Sequence, residues 1–123
     1  MATITPTPAI QSGYNAPYSA VKVTWGPMQN GDIGAAPGID LSAYTDATFQ
    51  VEGTFGVGGS VAVLGSIDSV NYRACRNPQG TTIAVTAAGL TAVQEGVAHT
   101  LPSVTAGDGT TSLTVSALYR RRY

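Results

Sequence analysis

Charged side chains are scarce in this sequence: they make up 11% of 123 residues, against about a quarter in a typical globular domain. Because like-charge repulsion helps to keep dissolved proteins apart, this scarcity favours a subunit that stays packed against other subunits. A secreted or thermally robust β domain with a Thr-rich surface is the alternative. The net charge of −1 argues against general affinity for nucleic acid, which requires many cations to neutralise phosphates.

The sequence has one cysteine, Cys75, and one histidine, His99. A single cysteine excludes an intrachain disulfide and a cysteine zinc site, and a single histidine excludes a histidine pair on a metal. No G-x-S-x-G motif accompanies His99, and the seven acidic residues are scattered singly. We therefore expect Cys75 in the core, a structural His99, no cofactor and no metal. A small hydrolase that uses His99 is a remote alternative.

Long apolar runs are also missing, and none approaches the ~20 residues that span a bilayer. The first residues, MATITPTPAI, lack the basic start and the apolar stretch of a signal peptide. We expect no membrane association, and synthesis and assembly in the cytoplasm.

Period-two alternation of apolar and polar residues is the main feature that is present. It is clearest at residues 19–25, 48–55 and 112–119, and it indicates half-buried strands. Gly56-Val57-Gly58-Gly59 predicts a tight turn that joins 48–55 to residues 61–66 in a central hairpin, and Asp108-Gly109 predicts a second tight reversal. The apolar positions that we expect to form the scaffold are Trp25, Phe49, Val51, Val63, Val85, Leu113 and Val115.

Further short strands are predicted at residues 72–75, 82–86 and 97–104, the last placed at an edge or a bulge by Pro102. Residues 26–40 form a long Gly- and Pro-rich loop, and residues 87–95 have room for one helical turn. Seven to eight short strands with closely spaced turns predict an all-β fold, a single antiparallel β-sandwich over residues 19–119.

Both ends of the chain differ from this pattern. Residues 1–18 contain Pro6, Pro8 and Pro17, which favour an extended arm over a strand in a sheet. The arm is either a loose terminus or a segment held by something outside its own domain. Residues 120–123 form a basic tail, which is either solvated or bound to an acidic protein surface. The candidate partner-binding residues are Ile4, Ile10, Tyr14, Tyr18, Arg120, Arg121 and Arg122.

From residue 65 onward the sequence resembles a group of small proteins encoded among the head genes of tailed bacteriophages and prophages. The residues that carry the resemblance are Gly65-Ser66-Ile67-Asp68 with Tyr72, Arg76-Asn77-Pro78-Gln79-Gly80, Ala87-Ala88-Gly89-Leu90, and the block from Pro102 to Val115. Relatives tend to have Trp at the position of Tyr72, Asp at that of Asn77, and often a basic residue at that of Leu101. The last departure weakens any salt bridge expected there.

This resemblance implies a head-decoration, or cement, protein with a jelly-roll-like sandwich on the outer surface of the capsid. The implied partners are the major capsid protein and further copies of the chain, as a dimer or trimer, and the implied location is the virion. A carbohydrate- or cell-surface-binding sandwich of a phage tail fibre or spike is the alternative, with Tyr14, Tyr18, Tyr44 and Trp25 as candidate sugar-binding aromatics.

Overall fold

The computed structural model describes residues 3–11, 20–35, 46–68, 70–94 and 99–120. Within these ranges the chain is all-β and has no helix. Its strands are β1 (Thr3–Ile4), β2 (Thr7–Gln11), β3 (Ala20–Met28), β4 (Ile33–Gly34), β5 (Asp46–Thr54), β6 (Ser60–Ser66), β7 (Arg73–Ala74), β8 (Gly89–Ala92), β9 (His99–Ala106) and β10 (Ser112–Arg120).

The strands form two packed five-stranded sheets, which confirms the predicted β-sandwich. The first sheet has the order β1-β4-β9-β6-β7 and the second has the order β2-β3-β10-β5-β8. Pairing is antiparallel except between β1 and β4, which are parallel. The jelly-roll assignment stays a prediction.

The core lies between the sheets and includes the predicted apolar positions. Trp25, Phe49, Val51, Val63, Leu113 and Val115 are buried there, and Val85 packs against them. Trp25 stacks on Phe49 with ring centroids 6.1 Å apart, and Phe49 meets the edge of Tyr119 at 6.3 Å. The Trp25 indole N–H donates to the Ala35 carbonyl at 2.8 Å, so burial of this large ring leaves its polar atom satisfied.

The predicted central hairpin of residues 48–66 is wrong, because its glycine turn joins one sheet to the other. β5 pairs with β8 and β10, whereas β6 pairs with β7 and β9. β9 and β10 likewise belong to different sheets. A sandwich corner and a hairpin share the same local pattern, two alternating runs joined by glycines, so alternation predicts the strands but not their partners.

The prediction that residues 1–18 form an arm outside the sheets is wrong for Thr3–Ile4 and Thr7–Gln11. β1 and β2 are the edge strands of the two sheets, where a missing proline N–H is tolerated. Pro6 lies between the strands, and Pro8 lies opposite Val23. Residues 12–18 lie outside the described residues.

Three local predictions are also corrected. Pro102 lies in β9, between β4 and β6, rather than at an edge; β4 pairs with β9 only at Ser103, so little of the ladder needs an N–H there. Residues 82–86 contribute two isolated bridges, Arg76 to Thr82 and Val61 to Val85, rather than a strand. The segment expected to hold a helical turn contains β8, which pairs with β5.

Candidate interaction surfaces

Of the sequence-predicted partner residues, the structure describes Ile4, Ile10 and Arg120, which lie in three different strands. Ile4 is half-buried and packs against the protein's own core. Ile10 lies in β2 opposite Val21. Arg120 is exposed and ends β10. The remaining candidates, Tyr14, Tyr18, Arg121 and Arg122, lie outside the described residues.

One end of the sandwich, called here the Arg120 end, carries Arg120 together with the ends of β6 and β9. Ser66 is paired with His99 there. The neighbouring Thr100 hydroxyl lies 2.6 Å from the Tyr119 hydroxyl and joins the two sheets. Burial raises the pKa of Tyr119 well above its usual value. Both hydroxyls are buried, so their hydrogen bond fixes the two sheets against each other at this end.

The turn that follows β6 at the Arg120 end is fixed by the carboxylate of Asp68. Its Oδ1 accepts from the Val70 and Asn71 backbone N–H groups at 2.9 and 2.8 Å and from the Ser66 hydroxyl at 2.7 Å. Its Oδ2 accepts from the Asn71 side-chain amide at 3.0 Å. These bonds, that of the Asn71 N–H foremost, hold the pKa of Asp68 well below its usual range. The turn is therefore held in one conformation from within.

This turn presents two apolar side chains to solvent. Ile67 is 79% exposed and Val70 is 77% exposed. We call this pair the apolar tip. Scattered exposed apolar residues are ordinary, but here two of them flank a carboxylate, that of Asp68, which accepts four hydrogen bonds within the turn. A rigid apolar protrusion loses little conformational freedom when it enters a pocket on another protein.

The opposite end, called here the Asp108 end, holds the two glycine corners together. Asp108 Oδ2 accepts from the Val57 backbone N–H at 2.8 Å, and its Oδ1 accepts from the Thr110 hydroxyl at 2.6 Å. The Thr111 hydroxyl accepts from the Asp108 N–H at 2.9 Å and donates to the Phe55 carbonyl at 2.8 Å. A Cβ at Gly56 would overlap Asp108 Oδ1, so glycine is required for the close approach of the two corners.

The outer face of the second sheet is broad and nearly neutral. Its outward side chains on the three central strands and on β8 are Lys22, Thr24, Thr114, Ser116, Leu118, Thr48, Gln50, Glu52 and Leu90. Thr24 and Ser116 hydroxyls lie 3.3 Å apart at its middle, and Gln50 donates to Glu52 at 3.1 Å. Leu90 is 71% exposed at one side. A shallow depression of about 500 Å³ lies beside Leu118, between Lys22 and Thr48.

The titratable side chains of the described residues are dispersed. No group of three or more His, Cys, Asp or Glu side chains occurs among them. Cys75 is buried in the core as predicted, and His99 is half-buried in β9. Trp25 is fully buried, which removes it from the aromatics that the carbohydrate-binding alternative requires. In the same residues, no helix has the length and apolarity to cross a membrane.

Comparison with protein-family models, curated proteins and solved structures finds no match for this chain.

Two surfaces were not predicted from the sequence. The outward positions of β3 and β5 were visible as the polar half of each alternating run, but without strand order they could not be joined into one face. Leu90 was assigned to a helical turn and so was not recognised as an exposed strand residue. The apolar tip is hidden in the sequence because Ile67 and Val70 interrupt no pattern; the structure shows that both side chains are exposed and that Asp68 fixes the turn beside them.

Proposed function

We propose that this chain is a head-decoration protein of a tailed bacteriophage, which binds the outer surface of the capsid and bridges subunits of the major capsid protein. The resemblance over residues 65–115 supports this proposal. The motifs that carry it are turn-forming: Asp68 fixes the first turn, Asn77 Oδ1 accepts from two backbone N–H groups in the second, and Asp108 fixes the last. The residues that carry the resemblance therefore form turns that side-chain hydrogen bonds hold in place, and the resemblance does not rest on composition.

The single observation that carries the proposal is the apolar tip. An adhesive protein requires a rigid, preorganised surface and no reactive group, and Ile67 and Val70 are displayed in this way by the turn around Asp68. Fully burying one such side chain against a partner contributes about 1.5–3 kcal/mol. The pair therefore contributes about 3–6 kcal/mol toward a site whose remaining contacts must offset the cost of association.

The Arg120 end as a whole fits attachment. Arg120 is exposed there, and the chain continues from it into Arg121 and Arg122. Guanidinium groups hydrogen-bond carboxylates two at a time, so this end is suited to an acidic patch on a capsid subunit next to an apolar pocket. The partners proposed are the major capsid protein and further copies of the chain.

Linkage supplies the mechanism. A protein that binds the assembled shell but not its separated subunits stabilises the shell by mass action at every occupied site. An oligomer that reaches two capsid subunits gains further, because its second contact forms at high effective concentration. The expected effect is mechanical: a decorated capsid withstands heat and the pressure of the packaged DNA for longer than an undecorated one.

The test uses phage particles stripped of the protein and rebinding of the recombinant full chain, followed by co-sedimentation. The double variant Ile67→Ser/Val70→Ser is expected to bind at least about tenfold more weakly, because two buried apolar contacts are lost. Its melting temperature should change little, since both side chains are exposed in the free protein.

The matched control is Val57→Ser, which removes an equally exposed apolar side chain (82%) at the Asp108 end. It should bind stripped particles as the wild type does. Absence of the protein from purified particles, or equal binding by the double variant, would refute the proposal. Particles lacking the protein that survive heating as well as complete ones would refute the stabilising role.

A further inference from the structure

We propose that the outer face of the second sheet binds a second copy of this chain, forming a symmetric dimer whose two-fold axis passes over Ser116. This dimer goes beyond capsid attachment and does not depend on it, because the apolar tip lies at the Arg120 end and not on this face. Self-association is measured without particles, so failure of one proposal leaves the other standing.

The argument begins with two opposite charges on the face. Lys22 on β3 lies opposite Leu118 of β10, and Glu52 on β5 lies opposite Thr114 of the same strand. Four residues of β10, about 13 Å, and two strand spacings, about 10 Å, separate the two charged positions. Lys22 and Glu52 of one chain are too far apart to pair with each other, so an ion pair between these two residues requires a second molecule.

The midpoint between these charges falls on Ser116, since β10 lies between β3 and β5 and Ser116 is halfway from Leu118 to Thr114. Consider a two-fold axis that lies in the plane of the interface, above this point and perpendicular to the line between the two charges. Rotation about this axis can place Lys22 of each copy over Glu52 of the other. Both ion pairs then form at once, as a self-complementary interface requires. Arg120, at the rim of the face, already lies opposite Asp46 in the β10–β5 register.

The shape of the face agrees with this rotation. On an idealised sheet with strands about 4.8 Å apart, the rotation that exchanges the two charges sets the strands of the copies at a steep angle, an arrangement known from orthogonally packed sheets. It also carries Leu90 of the second copy to the depression between Leu118 and Thr48. A side chain that is 71% exposed in the single chain would be covered on both copies.

The area sets the expected strength. The face measures roughly 20 by 24 Å, so a dimer buries on the order of 1,000 Å² in total, near the lower limit for a specific interface. The middle of the face is made of hydroxyl and amide groups with few long charged chains, which lowers the cost of desolvation. We expect a weak dimer, with a dissociation constant in the micromolar range.

The test is sedimentation velocity of the full chain from about 1 to 100 μM, a range that brackets a micromolar constant. The wild type should pass from monomer to dimer. Lys22→Glu and Glu52→Lys should each weaken the dimer at least about tenfold, because each places like charges face to face. The double variant Lys22→Glu/Glu52→Lys should return to within about threefold of the wild type, as coupled sites do.

Leu90→Arg should also leave the chain monomeric, whereas Val57→Arg, at an equally exposed position away from the face, should dimerise normally. Rescue by the double charge exchange is a result that damage to the fold cannot produce. A wild type that stays monomeric or forms a cyclic trimer would overturn the proposal, and so would a double variant that is not rescued.

Discussion

Asp108 shows how one side chain secures a corner of the sandwich. Hydrogen bonds from the Thr110 hydroxyl and then the Val57 N–H lower the pKa of its carboxyl group to about 2. An aspartate in the unfolded chain has a pKa of about 3.9, so the folded state binds the proton more weakly. The stabilisation is therefore present above about pH 4 and is lost as the pH falls toward about 2.

We predict that the urea midpoint of the wild type falls between about pH 5 and pH 2, and that Asp108→Asn starts lower and falls less. The amide keeps one acceptor oxygen but places an NH2 donor where the other carboxylate oxygen accepts a hydrogen bond, so part of the loss is already present at the higher pH. Asp68, whose pKa is also lowered, preserves part of the pH dependence of the urea midpoint in the variant. Parallel curves for wild type and Asp108→Asn would contradict the assignment.

The turn residues were recognisable from the sequence, but their partners were not. Asp108-Gly109 indicates a tight turn through local chemistry alone. Its bond to Val57 crosses 51 positions of the chain, and nothing in either segment encodes that distance. The same holds for the Thr100–Tyr119 pair, whose hydroxyls come together only because two sheets pack.

At the scale of the elements, the two glycines in the 55–59 corner give a matched comparison. Gly56 and Gly58 have similar positive φ values, 70° and 72°, so alanine is strained at both. A Cβ at Gly58 meets nothing within 4 Å, whereas one at Gly56 would overlap Asp108 Oδ1. We predict that Gly58→Ala costs about 1 kcal/mol and Gly56→Ala clearly more, by chemical denaturation. Equal losses would show that the two corners are not locked together.

The N-terminal strands allow a second prediction at this scale. Deleting residues 2–11 removes both edge strands, β1 and β2, and the contact of Ile4 with the core. The melting temperature of the free chain should fall, and the uncovered edge of β3 should promote aggregation. Thermal denaturation and light scattering of the truncated chain test this. An unchanged melting temperature would restore the view of an arm outside the fold.

Alternation predicted the strands well because burial on one face leaves a period of two, as in β3 and β10, whose apolar halves are buried throughout. Sheet membership could not be predicted, because β5 and β6 look like a hairpin whether or not they pair. Edge strands are the weakest signal. β1 is only two residues long, and the prolines at positions 6 and 8 favour an arm when the sequence is read alone.

For the whole molecule, the two proposed surfaces have complementary roles. The dimer face lies on one broad side of the sandwich and the apolar tip lies at the Arg120 end; the two surfaces meet at Arg120, which lines the depression on the dimer face. A two-fold dimer then carries two apolar tips. Two weak capsid contacts on one particle bind more tightly than either alone, by about 10²–10⁴ when both sites can be reached together.

The presence of two apolar tips on one dimer gives a prediction that neither surface gives by itself. Leu90→Arg leaves the apolar tip intact but removes dimerisation, so it should still bind stripped particles, with a dissociation rate at least about tenfold faster than that of the wild type. The measurement is exchange of labelled protein from decorated particles. Ile67→Ser/Val70→Ser should dimerise normally yet bind stripped particles at least about tenfold more weakly, the reverse behaviour. If Leu90→Arg left the particles as slowly as the wild type, the dimer would have no part in attachment, and a single chain would be the unit that binds the capsid.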